Sequence, residues 1–561
     1  MGWLRVALCV LLLTGSAAAR TQLTAAQLAA GFQGPVVMDA FAAPADAMAP
    51  AARFEGRLRL DATVFRQVTV IKNAFNLPIN DTTTGLPPFD FEFVQDGDAL
   101  IPVQRGPVLG PHPYSEWVLE PGRVWNEPDD GGFTRAAVPF ALREKNANCL
   151  HNGVLGFLFK GDGTISHVYF QVSSETCSYF KFDASGSLAA RYTPGAVGDA
   201  DAIRAAYRAE IAARLPVKPL SALAGVSPEG FALAPPKEAD MPTLYGVVVD
   251  GVNYVGGCDT RAGPYPFCDV MDLPSYSTAK SVVAAIGLMR LEKLWPGART
   301  ALIADYVPAC NTPDWQGVTF ENALNMMTGV YGSPDYEVDE DSAEYGAFFN
   351  VTTHADKIAF ACTHYHRKSP PGTQWVYRTA DTYVLGTAMQ AFVRKHLGAS
   401  ADLYRDILVA QLWRRLGLSP VLDTTLRTYD SEQQFFSGYG LTYHRDDIAR
   451  IGAFLNRGGM IGGEAMLDPT LFALAMQRDP TDRGVRAGNE HIHYKAGFWV
   501  RDVQPLLGCK VPTWVPFMSG YGGISVVMFP NGVVYYYFGD NLVFDWGPAA
   551  VAINKIRPIC P

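Results

Sequence analysis

Two serine–lysine pairs with one spacing occur in this chain, Ser277-Thr278-Ala279-Lys280 and Ser178-Tyr179-Phe180-Lys181. A hydroxyl and an amine three residues apart share a face when the segment is a helix. In a strand, side-chain alternation sends them to opposite faces. Behind Ser277 the apolar residues Val283, Ile286, Leu291 and Leu294 recur at helical spacing and stop near Pro296-Gly297, whereas Ser178 lies in a stretch read as strand. Ser277 is therefore the candidate nucleophile and Lys280 its base. Serine is a weak nucleophile at its ordinary pKa, and a lysine that is desolvated or crowded by other cations can lose its proton and accept that of the serine. A helix starting at Ser277 would also direct free N–H groups and the positive dipole end at charge developing on a substrate.

Further groups follow in order along the chain. They are Val318-Thr319-Phe320-Glu321-Asn322-Ala323-Leu324 through Met327-Thr328-Gly329, then Pro371-Gly372, Trp375, Tyr377-Arg378-Thr379 and Asp381 to Gly386, then Gly438 to Phe454, then Ser519-Gly520-Tyr521-Gly522-Gly523. With Ser275 to Ser281 at their head, these stretches resemble the serine β-lactamase and penicillin-binding-protein superfamily, in its class C-type form, over about residues 243–545. The resemblance implies that Ser277 is acylated, with Lys280 and Tyr377 relaying protons and Tyr377 delivering one to the leaving group. It assigns the oxyanion hole to the backbone N–H groups of Ser277 and Tyr521. It places Thr379, Ser519, Gly520 and Gly522 on the substrate, the two glycines allowing its close approach to a strand edge.

Two positions depart from the family pattern. Thr379 stands where asparagine is usual, and Met518 stands where the third motif carries a cation. Without that cation, a group that would pair with a substrate carboxylate is missing. The form is closest to 6-aminohexanoate-dimer hydrolases and related esterases. The expected function is an exported serine hydrolase acting on a small-molecule or peptide-like amide or ester. A β-lactamase or D,D-peptidase is the alternative within the fold, and a catalytically inactive binding or scaffold protein is the alternative outside enzymology. No cofactor and no metal are implied. The pairs His364/His366 and His491/His493 lack a His-Glu-x-x-His context, and no Gly-x-Ser-x-Gly marks an α/β-hydrolase.

The elements that must hold these residues divide the chain. Residues 20–215 alternate in short runs such as Arg57-Leu58-Arg59-Leu60 and read as an all-β module closed by a helix-like segment from 199 to 215. A linker spans 216–242. Residues 243–561 read as α+β, a β-lactamase-like sheet with flanking helices and a helical subdomain. Hairpins are expected where Leu244 to Val249 and Val252 to Gly256 flank Asp250-Gly251, and where Ile524 to Phe529 and Val533 to Phe538 flank Pro530-Asn531-Gly532. Helices are expected over 320–327, 383–397, 401–416, 446–456 and 548–556.

Residues 1–19 have the basic start, short apolar run and small-residue exit of a secretory signal. The run is too short to span a membrane, so a mature chain without a span is expected, exported to the periplasm or secreted. Of the 9 cysteines, Cys9 leaves with the signal, and the remaining eight would form disulfides in an oxidising compartment. The strands 154–160 and 165–172 place Cys149 opposite Cys177, and Cys258 and Cys268 flank one Gly- and Pro-containing loop. By order, Cys310 pairs with Cys362 and Cys509 with Cys560. The net charge of -9 and the lack of a Lys/Arg cluster exclude nucleic acid as a partner.

Overall fold

The structure is a computed structural model that describes residues 23–61, 67–80, 82, 85–173, 176–233 and 242–561. The signal-peptide reading of residues 1–19 falls outside the described residues. None of the described helices is long and apolar enough to cross a membrane.

A twelve-stranded antiparallel sheet occupies the span from Gly56–Leu60 to Ala190–Pro194. Its longest pairing joins Thr134–Glu144 to Leu150–Phe159. The expected hairpin follows, Tyr169 opposite Gly156 and Val172 opposite Gly153, and Cys149 bonds to Cys177 at its open end. The other three pairs, Cys258–Cys268, Cys310–Cys362 and Cys509–Cys560, also lie as expected. Leu150–Phe159 is buried throughout. Leu155, Phe157 and Phe159 enter an aromatic core with Phe54, Phe93 and Trp117, while Leu150, Val154 and Leu158 enter a second core. Side-chain alternation thus feeds two cores from one strand.

That second core is shared with the rest of the chain. It contains the helix Ile286–Leu294, Tyr383 and Phe454 together with Met518, Val526 and Tyr536 of a nine-stranded sheet. This sheet runs, edge to edge, Val217–Pro219, Val252–Gly257, Pro242–Val249, Val534–Gly539, Ile524–Met528, Trp514–Gly520, Phe498–Asp502, Ile492–Lys495 and Val485–Arg486. Its opposite face carries Phe517, Val527 and Tyr535 against the C-terminal helix Gly547–Ile556. Strands from both ends of the 243–561 segment therefore form one sheet with helices on each face, the expected α+β arrangement. Asp250 and Gly251 take φ of 50° and 79°, the left-handed pair a tight hairpin requires.

Three local expectations are corrected, and the helix-like segment after 199 is met with one addition, its exposure. The connection after 216 is built into the fold, since Val217–Pro219 pairs in parallel with Val252–Gly257 and Leu220, Leu223 and Phe231 are buried under the second sheet. Ala200–Ala213 is helical but has no buried residue, and it is held to the first sheet by Arg204 on Glu55 and Arg208 on Asp96. The helix expected over 320–327 ends at Leu324, because Met326 adopts a left-handed φ of 55°. Ser178 to Lys181 is a loop leading into the strand Phe182–Leu188, not strand itself.

Candidate active site

Ser277 stands at the turn that opens the central helix. Helical backbone begins at Thr278, is wound as π-helix over Lys280–Ala285 and continues as α-helix over Ile286–Leu294. Widened turns of this kind are frequent at functional sites. Every residue from Lys280 to Leu291 is buried, so the helix is a fixed post. Tyr276, just before the nucleophile, holds φ of 39°, a conformation that L-residues adopt only when surroundings enforce it.

The enforcing group comes from the first sheet. Asn148, fully buried, accepts from Tyr276 N at 2.8 Å, from Ser275 Oγ at 3.0 Å and from Gly440 N at 2.9 Å, and its amide donates to Leu441 O at 3.2 Å. One side chain thus ties the nucleophile turn to the strand Thr442–Tyr443, which pairs with Leu273–Pro274.

Lys280 Nζ donates to Ser277 Oγ at 2.8 Å, to Thr379 Oγ1 at 2.8 Å and to Gly438 O at 3.4 Å. Burial pushes this ammonium down to about 8, against the opposing pull of Glu340 and Glu337. Thr379, at the departed asparagine position, therefore keeps contact with the lysine. Its own hydroxyl donates to Glu340 Oε1, and its N–H donates to Glu340 Oε2 at 2.8 Å. Tyr377 lies two residues before, with Lys280 Nζ 4.9 Å from its ring centre. Burial, reinforced by Glu340, pushes the phenol well above its ordinary range. Tyr377 is held as a neutral donor, not as the ionised carrier that a cationic neighbour alone would produce.

Ser277, Tyr377, Thr379, Ser519, Gly520 and Tyr521 line one cavity of about 800 Å³. The N–H groups of Ser277 and Tyr521 donate to no other group among the described residues. Gly522 stands off the cavity wall, and its φ of 91° places it in the turn after the strand Trp514–Gly520. The glycine at 520 is required by packing on the nucleophile turn, where a Cβ would come within 2.8 Å of Ser275 O. The Met518 side chain points away into the helical core, fully buried.

Sequence reasoning passed over three contributors to this wall. Asn148 and Tyr179 arrive from loops that join strands of the first sheet, the Tyr179 ring standing 6.4 Å from Tyr276 and 6.1 Å from Tyr521. Glu340 sits in an acid-rich loop, Asp335 to Asp341, folded by Asp339 accepting from Gly332 N and Ser333 N at 2.7 Å each. That run of acids between the first and second motifs was the one signal available. Glu337, Glu340 and Asp341 all line the cavity, while its Arg501 is paired with Asp545 at 2.7 Å. The histidine pairs do not converge, since His364 contacts Glu344 and His366 contacts Asp314, while His491 contacts Glu490 and His493 contacts Arg483 O.

No family model matches this sequence, and no curated protein does. Among solved structures the chain is similar to a hydrolase with promiscuous acyltransferase activity, at 15% identity over 56% of this chain and 93% of that one, with a TM-score of 0.42. It is similar to a penicillin-binding protein homolog from Caulobacter crescentus, at 19% identity over 56% of this chain and 92% of that one, with a TM-score of 0.39. It is also similar to a D-stereospecific amidohydrolase from Streptomyces sp., at 11% identity over 57% of this chain and 95% of that one, with a TM-score of 0.38.

Proposed function

We propose that this chain is an exported serine hydrolase that cleaves an amide or ester through an acyl-enzyme on Ser277. The observation that carries the reading is the 2.8 Å contact between Lys280 Nζ and Ser277 Oγ, made by an amine that burial brings down to about 8. A fraction of such an amine is neutral near physiological pH, and in that form it takes the Ser277 proton as Oγ attacks the scissile carbonyl. The N–H groups of Ser277 and Tyr521 are assigned to the oxyanion. The neutral Tyr377 hydroxyl then protonates the leaving nitrogen or oxygen as the carbonyl bond to it breaks, and recovers a proton from the Lys280 ammonium. Water attacks the acyl ester through the same groups, releasing the acid and restoring Ser277.

The substrate is read as a small-molecule or peptide-like amide or ester without an anchoring carboxylate. Met518 offers no cation, and Glu337, Glu340 and Asp341 would repel a carboxylate, which disfavours penicillins and peptide termini. Export is supported by the signal-like start and by four cysteine pairs at bonding distance.

A fluorophosphonate probe with a panel of nitrocefin, p-nitrophenyl esters and short amides tests the reading. Wild type is expected to label at Ser277 and to turn over an ester or amide faster than nitrocefin. Folded protein that stays unlabelled while a control hydrolase labels would leave the inactive scaffold standing.

A further inference from the structure

Beneath the nucleophile turn, three buried side chains from three segments converge without completing one another's hydrogen bonds. Glu120 follows the strand Ser115–Leu119 of the first sheet, Asp272 precedes Leu273–Pro274, and His444 precedes the helix Arg445–Asn456. Each is about 99% or more buried. Their ligand atoms lie within 4.8 Å of one another, with His444 Nε2 at 3.4 Å from Glu120 Oε1 and 3.7 Å from Asp272 Oδ1. These three atoms have no hydrogen-bond partner. The histidine is in ion-pair contact with both oxygens but in line with neither.

We infer that Glu120, Asp272 and His444 bind a divalent transition-metal ion, zinc by their chemistry. One imidazole nitrogen and two carboxylate oxygens suit zinc, whose bonds of about 2.0–2.2 Å put neighbouring ligands roughly 3.3–3.6 Å apart in a tetrahedral site. The separations from His444 Nε2 approach that spacing, and they are too wide for good hydrogen bonds. Charge points the same way. Arg105 takes the other oxygen of Glu120 at 2.7 Å and shares itself with Glu210, whereas no arginine or lysine among the described residues pairs with Asp272. Among the described residues only His444 stands within ion-pair reach of Asp272, and Glu120 shares it; a divalent ion bonded to both carboxylates would offset the cost of burying them.

The ligands are held in place by partners of their own. Asn152 clamps the Asp272 backbone, its Oδ1 accepting from Asp272 N at 3.0 Å and its Nδ2 donating to Asp272 O at 2.9 Å. His444 N donates to Asp447 Oδ2 at 2.8 Å. The ion would bolt both strands of the ribbon Leu273–Pro274/Thr442–Tyr443 to the first sheet, just upstream of Ser277. Its role is a clasp on the nucleophile turn, not a participant in the reaction.

The test uses the full exported chain without a tag, its disulfides intact. Elemental analysis after dialysis against zinc chloride and then buffer is expected to find about one zinc per chain. 1,10-Phenanthroline should lower the thermal midpoint by roughly 5 °C or more, with recovery on adding zinc. Glu120→Gln and Asp272→Asn should lose the metal, and His151→Ala, beside the Cys149–Cys177 pair, should keep it. Folded wild type that retains no divalent metal and keeps its midpoint under chelation would overturn the inference, leaving a protonated His444 between the carboxylates. So would metal that survives Glu120→Gln and vanishes in His151→Ala. If the variants fail to fold, the wild-type metal content and chelator response alone decide.

Discussion

The chain carries the same serine–lysine spacing twice, and the two copies share little beyond that spacing and a buried lysine. At Ser277 the intervening residues enter a helix, so Lys280 Nζ reaches back to Oγ at 2.8 Å. At Ser178 they form a loop, Ser178 Oγ has no hydrogen-bond partner, and Lys181 faces the buried carboxylate of Asp540 at 3.9 Å. Both lysines are buried, yet among the described residues only Lys181 has a carboxylate within ion-pair reach. A buried amine without a counter-charge is pushed toward neutrality, which is what a general base requires. The spacing is common; backbone winding and the lack of a carboxylate in direct contact with the amine decide whether it can catalyse.

Exchange of the two serines breaks the comparison most sharply. Ser277→Ala should remove fluorophosphonate labelling and reduce turnover to background, since no other group can carry the acyl intermediate. Ser178→Ala should label and turn over as wild type does. Loss of activity in both variants would mean that the second copy also matters. The lysines should separate in kind. Lys280→Ala is expected to lower kcat about 10²- to 10⁴-fold with the circular dichroism spectrum and thermal midpoint near wild type. Lys181→Ala should instead lower the midpoint, as removal of one partner of a buried pair costs a few kcal/mol, and leave kcat within a few-fold.

How much of this was legible depends on the range of the interaction. The hairpins at Asp250-Gly251 and around residues 154–172 could be read because period-two alternation and left-handed turn residues are local signals. The Cys149–Cys177 pair followed from the second of them. The Ser277–Lys280 geometry was equally local, one helical turn. Asn148 was not legible, since it meets Tyr276 across 128 positions and a lone asparagine before a strand has no signature of such a partner. The shared core was hidden for a related reason. Val154 to Phe159 is a continuous apolar run, consistent with a strand covered on both faces, but only the packing of the second half of the chain reveals what covers the second face.

Asn148 tests whether the first sheet belongs to the site. Asn148→Ala leaves the Tyr276 and Gly440 N–H groups buried and unpaired, at about 1–3 kcal/mol each. It should relax the left-handed Tyr276 and drop kcat roughly 10- to 100-fold with KM changed far less. A fall in stability with kcat preserved in the folded fraction would reduce Asn148 to a structural tie.

The smallest expected effect tests the charge side of the comparison. Burial holds Lys280 down to about 8 from 10.5, while Glu340 and Glu337 pull it up. Activity needs the neutral amine, so kcat/KM should rise with pH along a limb centred near 8. Between about 8 and 10.5 the unfolded chain holds the proton that the folded chain has released, so this group's contribution to stability grows with pH across that window. Glu340→Gln keeps a hydrogen-bond acceptor for the Thr379 hydroxyl but deletes the negative charge, and should move the limb downward by a few tenths of a unit. The direction is diagnostic. An upward shift would mean that Glu340 acts mainly by dehydrating the site, and an unmoved limb would mean that the rising group is not Lys280, which would reopen the assignment of the base.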